Sequence, residues 1–146
     1  MNDTLREWEP QIRSILRIVV ALCYLQHGLS KLIGFPVPAP ANMPTFYWFI
    51  NVPIETICSL LVLIGLWTRP TALLISGEMA VAFWIRHIPN GFSKVGVLGL
   101  FPINPNNGGT LPVLYCFAFL YIAFAGPGPW SLDAARGAEA QRRIVA

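Results

Sequence analysis

The chain has 146 residues, of which 55% are hydrophobic and 12% charged, and its ten Lys and Arg against seven Asp and Glu give a net charge of +3. Soluble domains carry about a quarter charged residues, so this composition and a mean hydropathy of +0.57 exclude an ordinary water-soluble globule and point to lipid as the solvent. No basic-aromatic pattern suggests nucleic acid as a partner.

A bilayer core takes roughly 20 mostly apolar helical residues to cross, and the sequence predicts four such spans, over about 14–33, 52–67, 70–88 and 110–125. Residues 1–13 read as an amphipathic or frayed lead-in. The first span is read as retained in the protein, because its leader contains Asp3, Glu7 and Glu9 and no small-residue cleavage pattern follows. It carries Arg17, Tyr24, His27 and Lys31, spaced so that all share one helix face. The loop after it, "GFPVPAPANMP", is too rich in proline for a helix.

Thr45 is placed to cap a helix through the aromatic cluster "TFYWFIN" into the second span, with Pro53 bending it or starting a new one. That span holds Glu55, with Ser59 one turn on. Only "WTRP" joins spans two and three, so they must form an antiparallel hairpin. Span three has Glu78 near its middle and Arg86 and His87 at its far end. The loop over 89–109 is long enough to be functional or to act as an apolar plug on the bundle. Span four stops at "GPGP", after which Ser131 is placed as the N-cap of a short surface helix with Asp133 in its first turn and Trp130 as an interfacial anchor.

Lys and Arg collect on cytoplasmic flanks. Arg6, Arg13, Arg17, Arg69, Arg136, Arg142 and Arg143 fall on one side, and Lys31, Arg86 and Lys94 on the other. The expectation is therefore an all-α bundle of four transmembrane helices, a single domain over 1–146, with both termini cytoplasmic and the loops over 34–51 and 89–109 facing outward. On that orientation His27, Lys31, Glu55, Arg86 and His87 lie in the outer half and Glu78 lies near the midplane.

Ionisable groups inside hydrocarbon are costly and normally face the bundle interior, pair up and mark function. The functional reading makes His27 and Glu78 the proton-transferring, catalytic pair, with Lys31, Glu55, Arg86 and His87 binding substrate. The structural reading makes the same groups interhelical pairs, Glu78 with His27 and Glu55 with Lys31 or Arg86, that hold helices together in a medium without a hydrophobic driving force. His27, His87, Glu55 and Glu78 would also compose a two-histidine, two-carboxylate set, but no EXXH-type spacing is present and no metal is assigned. The sequence has no Walker loop, GxGxxG, GxSxG or HExxH. Cys23, Cys58 and Cys116 all fall inside spans and read as small hydrophobes, a redox pair of Cys58 and Cys116 being the minor alternative.

Four ordered motifs, "HGLSKLIGF", "ETICSLLVLIGLWTRPTAL", "GEMAVAFWIRHIPNGF" and "NNGGTLPVLYCFAFLYIAFAGPGPWSLD", together covering about residues 14–135, resemble the DoxX family of small bacterial inner-membrane proteins. The resemblance implies a four-helix, multi-pass fold in the plasma membrane. The family is named for similarity to a subunit of an archaeal thiosulfate:quinone oxidoreductase, and some relatives are implicated in redox-stress defence alongside soluble thiol or superoxide enzymes. It thus implies a quinone- or sulfur-linked oxidoreductase subunit with an outer-side polar pocket, a quinone as the candidate cofactor, and a redox partner protein beside the lipid bilayer. The alternative is a non-catalytic scaffold or partner subunit. The family pattern matches His27, Gly28, Lys31, Glu55, Gly65, Glu78, His87 and the Gly126–Asp133 stretch. It departs at Thr110, where relatives usually carry glutamate, so if that carboxylate transfers protons in relatives, this protein either lacks the activity or uses Glu55 or Glu78 instead.

Overall fold

The structure is a computed structural model and describes residues 3–38, 45–89 and 108–145. Every regular element among them is helical. Helix α1 is Asp3–Ile33, 31 residues that run without a break through Pro10, so the expected lead-in is part of the first helix. Helix α2 covers 45–64 as an α-helical stretch Thr45–Pro53, a π-helical turn Ile54–Cys58 and a second α-helical stretch Ser59–Ile64. Pro53 lacks the amide that would continue the ladder, and its ring crowds the carbonyl four residues back. The helix passes this point by widening into the π turn rather than by ending.

Helix α3 covers 68–89, α-helical over Thr68–Ala82 and π-helical over Phe83–His87. Helix α4 is Thr110–Ala125 and α5 is Leu132–Val145. Most of the expected outer loop over 89–109, and residues 39–44 of the proline-rich loop, lie outside the described residues.

The hairpin between α2 and α3 is set by local chemistry. Gly65 adopts φ +72°, its amide donates to the Val62 carbonyl at 3.1 Å and the Leu66 amide to Leu61 at 2.9 Å, which is the Schellman closure that only a residue tolerant of left-handed backbone completes at no cost. At the next corner, Gly126 (φ +94°) ends α4, and Ser131 accepts from the Ala134 amide at 3.1 Å, capping α5 as the sequence predicts.

Helices α1 to α4 form a ring in which each packs on its chain neighbours and α1 closes against α4. The interior is Ala21 and Tyr24 of α1, Val62 of α2, Ala72, Ile75 and Met79 of α3, and Phe119 and Ile122 of α4. Alanines at 21 and 72 let backbones approach, and Tyr24 stacks edge-on to Phe119 and Tyr115, both at 5.2 Å. The outside is as apolar as the inside: Val19, Leu22, Leu60, Ile64, Leu73, Leu74, Val81, Leu114, Phe117 and Phe124 are all exposed. Exposed apolar side chains in this number are rare on soluble monomers. By length and composition, Leu5–Ile33 is long and apolar enough to cross a membrane, whereas Trp48–Ile64 and Thr110–Ala125 are apolar but shorter.

Candidate functional site

The polar groups of the bundle divide between its two ends, and the ends differ in what they leave open. At one end, arginines close the structure. Arg17 is fully buried. Its Nε donates to the Pro127 carbonyl at 2.8 Å, Nη1 to Val62 and Leu63 at 2.5 Å each, and Nη2 to Trp130 at 2.5 Å. One guanidinium thus binds two carbonyls in the last turn of α2, where the helix dipole also favours a cation, and the Pro127 and Trp130 carbonyls in and just after the "GPGP" corner. Arg69 donates to Ala123 at 2.9 Å and Phe124 at 2.7 Å, and Arg13 to Ala125, so the end of α4 is closed in the same way. The Asp133 carboxylate accepts from the Trp67 and Thr68 amides at 2.9 and 2.8 Å, capping α3 from the chain's far end. Burial pushes the Asp133 carboxyl up, but these amides and the charge of Arg136 outweigh it and hold it below its ordinary 3.8. Arg17 shares a helix face with His27 and Lys31, yet it works more than two turns away from them, as a brace.

At the other end the side chains do not close. A cavity of about 290 Å³ is lined by His27, Lys31, Glu55, Arg86 and His87, together with Tyr24, Ser30, Asn51 and Tyr115. Five of the six residues singled out from the sequence therefore share one cavity. Lys31 forms an ion pair with Glu55 Oε1. Glu55 is 4% exposed, and its Oε2 is buried with no hydrogen-bond partner among the described residues. A buried acceptor left so is costly, and this one belongs to a side chain on the cavity wall. His27 is exposed, and its ring lies 6.0 Å from Tyr24 and 5.8 Å from Tyr115 between ring centres. Arg86 and His87 come from the π turn of α3 and Glu55 from that of α2. Both irregular turns thus aim their polar residues into the same space, the use to which π insertions are often put.

The sixth residue, Glu78, is not on the cavity wall. It stands one hydrogen bond behind: Tyr24 donates its hydroxyl to Oε2, and Asn51 Nδ2 donates to Oε1 at 2.7 Å. In place of the direct pairing of Glu78 with His27 expected from the sequence, Glu78 takes both its hydrogen bonds from Tyr24 and Asn51, and the Tyr24 ring packs beside His27. Asn51 and Tyr115 escaped the sequence reading, Asn51 as the last letter of an aromatic cluster taken for a lead into span two and Tyr115 as one aromatic among many in span four. Their only signal was a polar atom in an apolar run. The three cysteines are free thiols, and Cys116 lies 3.6 Å from Ser76 Oγ. Among the described residues no three of His, Cys, Asp and Glu are grouped to hold a metal ion.

The model of the DoxX family matches residues 12–88. An uncharacterised protein of Haemophilus influenzae is 36% identical over 136 residues, which is 91% of this chain and 96% of the relative. An uncharacterised membrane protein of Mycobacterium tuberculosis is 28% identical over 81% of this chain and 77% of its own length. A second uncharacterised Haemophilus influenzae protein is 27% identical over 82% of the chain and 79% of its own length. No solved structure matches. The chain belongs to the DoxX family and is a membrane protein.

Proposed function

We propose that this DoxX-family protein crosses the bacterial plasma membrane four times with both termini in the cytoplasm, and that its open cavity, facing outward, binds the ring of a quinone as part of an oxidoreductase assembly. Exposed tryptophans support the membrane placement. Trp48 lies 16 positions before Ile64, the last residue of α2, about 24 Å at the helical rise, and Trp84 lies about 26 Å from Trp67 along α3. Those spacings match a hydrocarbon core of about 30 Å with an aromatic belt at each face. Trp8 and Trp130, both exposed, belong to the arginine-braced end.

The observation that carries the ligand reading is the chemistry of the cavity wall. Lys31, Arg86, His27 and His87 present hydrogen-bond donors suited to ring oxygens, and the unpartnered Glu55 Oε2 can accept from a ring hydroxyl. When bound, a quinone supplies the two-way electron chemistry, with electrons exchanged through a redox partner protein. The chain's own part is to orient the ring and handle protons: His27 at the cavity mouth exchanges protons with water, and the Tyr24–Glu78 hydrogen bond holds a second proton site just behind the wall. With Thr110 at the start of α4, the carboxylates available are Glu55 and Glu78.

The test is thermal unfolding of the purified protein in mild detergent. A short-tailed benzoquinone should raise the melting temperature, and His27→Ala or Glu78→Gln should remove that rise while leaving a folded protein. Absence of any quinone-induced shift in the parent protein overturns the proposal. The Lys31–Glu55 pair favours a second reading, a non-catalytic scaffold braced by interhelical ion pairs; on that reading the same substitutions lower stability and no ligand shift appears.

A further inference from the structure

The wall of the open cavity carries a polar atom that the fold itself leaves unserved. Glu55 lines the cavity and is 4% exposed. Its Oε1 takes the Lys31 ammonium, while Oε2 is buried with no hydrogen-bond partner among the described residues. As the anionic member of an ion pair, this carboxylate accepts hydrogen bonds and has no proton of its own to donate. Tyr24 lines the same cavity, but its hydroxyl hydrogen goes to Glu78 Oε2. A buried acceptor without a donor is costly. An occupant that expels water from this wall therefore gains or loses affinity according to whether it brings a donor to Glu55.

We infer that the cavity selects the reduced form of its ring: it holds a hydroquinone more tightly than the matching quinone, and Glu55 is the residue that tells the two apart. This rests on the ligand reading above and adds to it the redox state that is bound best and the side chain that sets it. The two forms of the ring have nearly the same outline and differ at their oxygens. A hydroquinone hydroxyl both donates and accepts, which matches the ion pair on the wall. It donates to Oε2 and accepts an ammonium hydrogen that Lys31 does not spend on Oε1. A quinone carbonyl only accepts. It can take the hydrogen bond from Lys31, but it sets oxygen lone pairs against Oε2 and leaves that atom buried and without a donor. At about 290 Å³ the cavity is at the small end of ligand pockets, a size for one ring. Because the reduced form is held more tightly, the bound ring is a stronger oxidant than the free one; a tenfold preference raises the potential of a two-electron couple by about 30 mV.

The experiment measures, in mild detergent and without oxygen, the affinity of the purified protein for tetramethyl-benzoquinone, for its hydroquinone and for tetramethylphenol, which keeps a hydroxyl donor but has no quinone form of its own. The hydroquinone should bind the parent at least about tenfold more tightly than the quinone, and the phenol should lie closer to the hydroquinone than to the quinone. Glu55→Gln places an amide donor where there was only an acceptor, so in that variant the preference should vanish or reverse. Equal affinities of the parent for quinone and hydroquinone, a tighter quinone, or a phenol that binds no better than the quinone overturns the inference and leaves the cavity reading standing. A folded Glu55→Gln protein that keeps the full preference also overturns it. If none of the three compounds binds the parent, the cavity reading fails and the inference falls with it. Should Glu55→Gln fail to fold, the three compounds on the parent protein still decide the outcome.

Discussion

Arg17 shows how a charged residue in an apolar helix becomes indispensable without chemistry. Among the described residues its guanidinium has no carboxylate in hydrogen-bonding contact; it is held by four carbonyl oxygens, from Val62, Leu63, Pro127 and Trp130. Hydrogen bonds to charged groups are among the stronger ones, about 1.5–3 kcal/mol each, and their loss here would strand carbonyls as well. Arg17→Met should therefore destabilise by on the order of 3–5 kcal/mol, read as a fall in melting temperature, with no effect on the cavity in whatever protein remains folded. Arg17→Lys should recover little, because an ammonium cannot span carbonyls fixed in a planar fork. The Lys31–Glu55 pair invites a sharper measurement, since each partner is mostly buried, with side-chain exposures of 18% and 5%. Lys31→Met and Glu55→Gln should each lower stability, and the double variant should lose less than the sum. A coupling of about 0.5–3 kcal/mol in the double-mutant cycle is expected, and a coupling of zero would show that the pair contributes nothing.

At the scale of elements, the cavity depends on where α1 can touch α2. Gly28 lies against the π turn: a Cβ there would come within 2.4 Å of Thr56 Oγ1, 2.9 Å of the Glu55 carbonyl carbon and 3.0 Å of the Thr56 amide. The hydroxyl can rotate away, but the backbone atoms cannot. Gly28→Ala should therefore push α1 from α2 and cost about 1–3 kcal/mol, weakening the Lys31–Glu55 contact and cavity binding together; unchanged melting would mean that the π turn yields. The link between α3 and α5 is testable by pH. Because the Asp133 carboxyl sits below its ordinary 3.8 in the folded protein, its contribution is present at neutral pH and lost as pH falls through the lowered folded value. Asp133→Asn should melt below the parent at pH 7, and the gap should close in strong acid; a gap constant with pH would mean that charge plays no part in the cap.

At the scale of the whole molecule, the helices, their order and their corners were legible in the chain because each rests on local chemistry: apolar runs, the "WTRP" hairpin, the "GPGP" stop and the Ser131 cap. The polar cluster was legible in membership for a more general reason. Ionisable groups in an apolar chain must find one another, so spacing on a helix face selects the candidates. Which groups pair was not legible, because that is set by helix rotation and by two π turns, of which only the one after Pro53 left a trace in the sequence. So Arg17, placed on the cytoplasmic flank from the sequence, turned out to be held by backbone carbonyls, Glu78 to meet Tyr24 and Asn51, and Asn51 to join the site unannounced. The same asymmetry makes orientation testable. Arg13, Arg17 and Arg69 gather at the braced end beside the "GPGP" corner, while His27, Lys31, Arg86 and His87 gather at the open one. If basic flanks are retained in the cytoplasm, a green fluorescent protein fused after residue 146 should fluoresce and an alkaline phosphatase inserted within residues 90–107 should be active. An active phosphatase at the C-terminus would place the cavity in the cytoplasm, and any partner exchanging electrons with it would then have to be sought on that side.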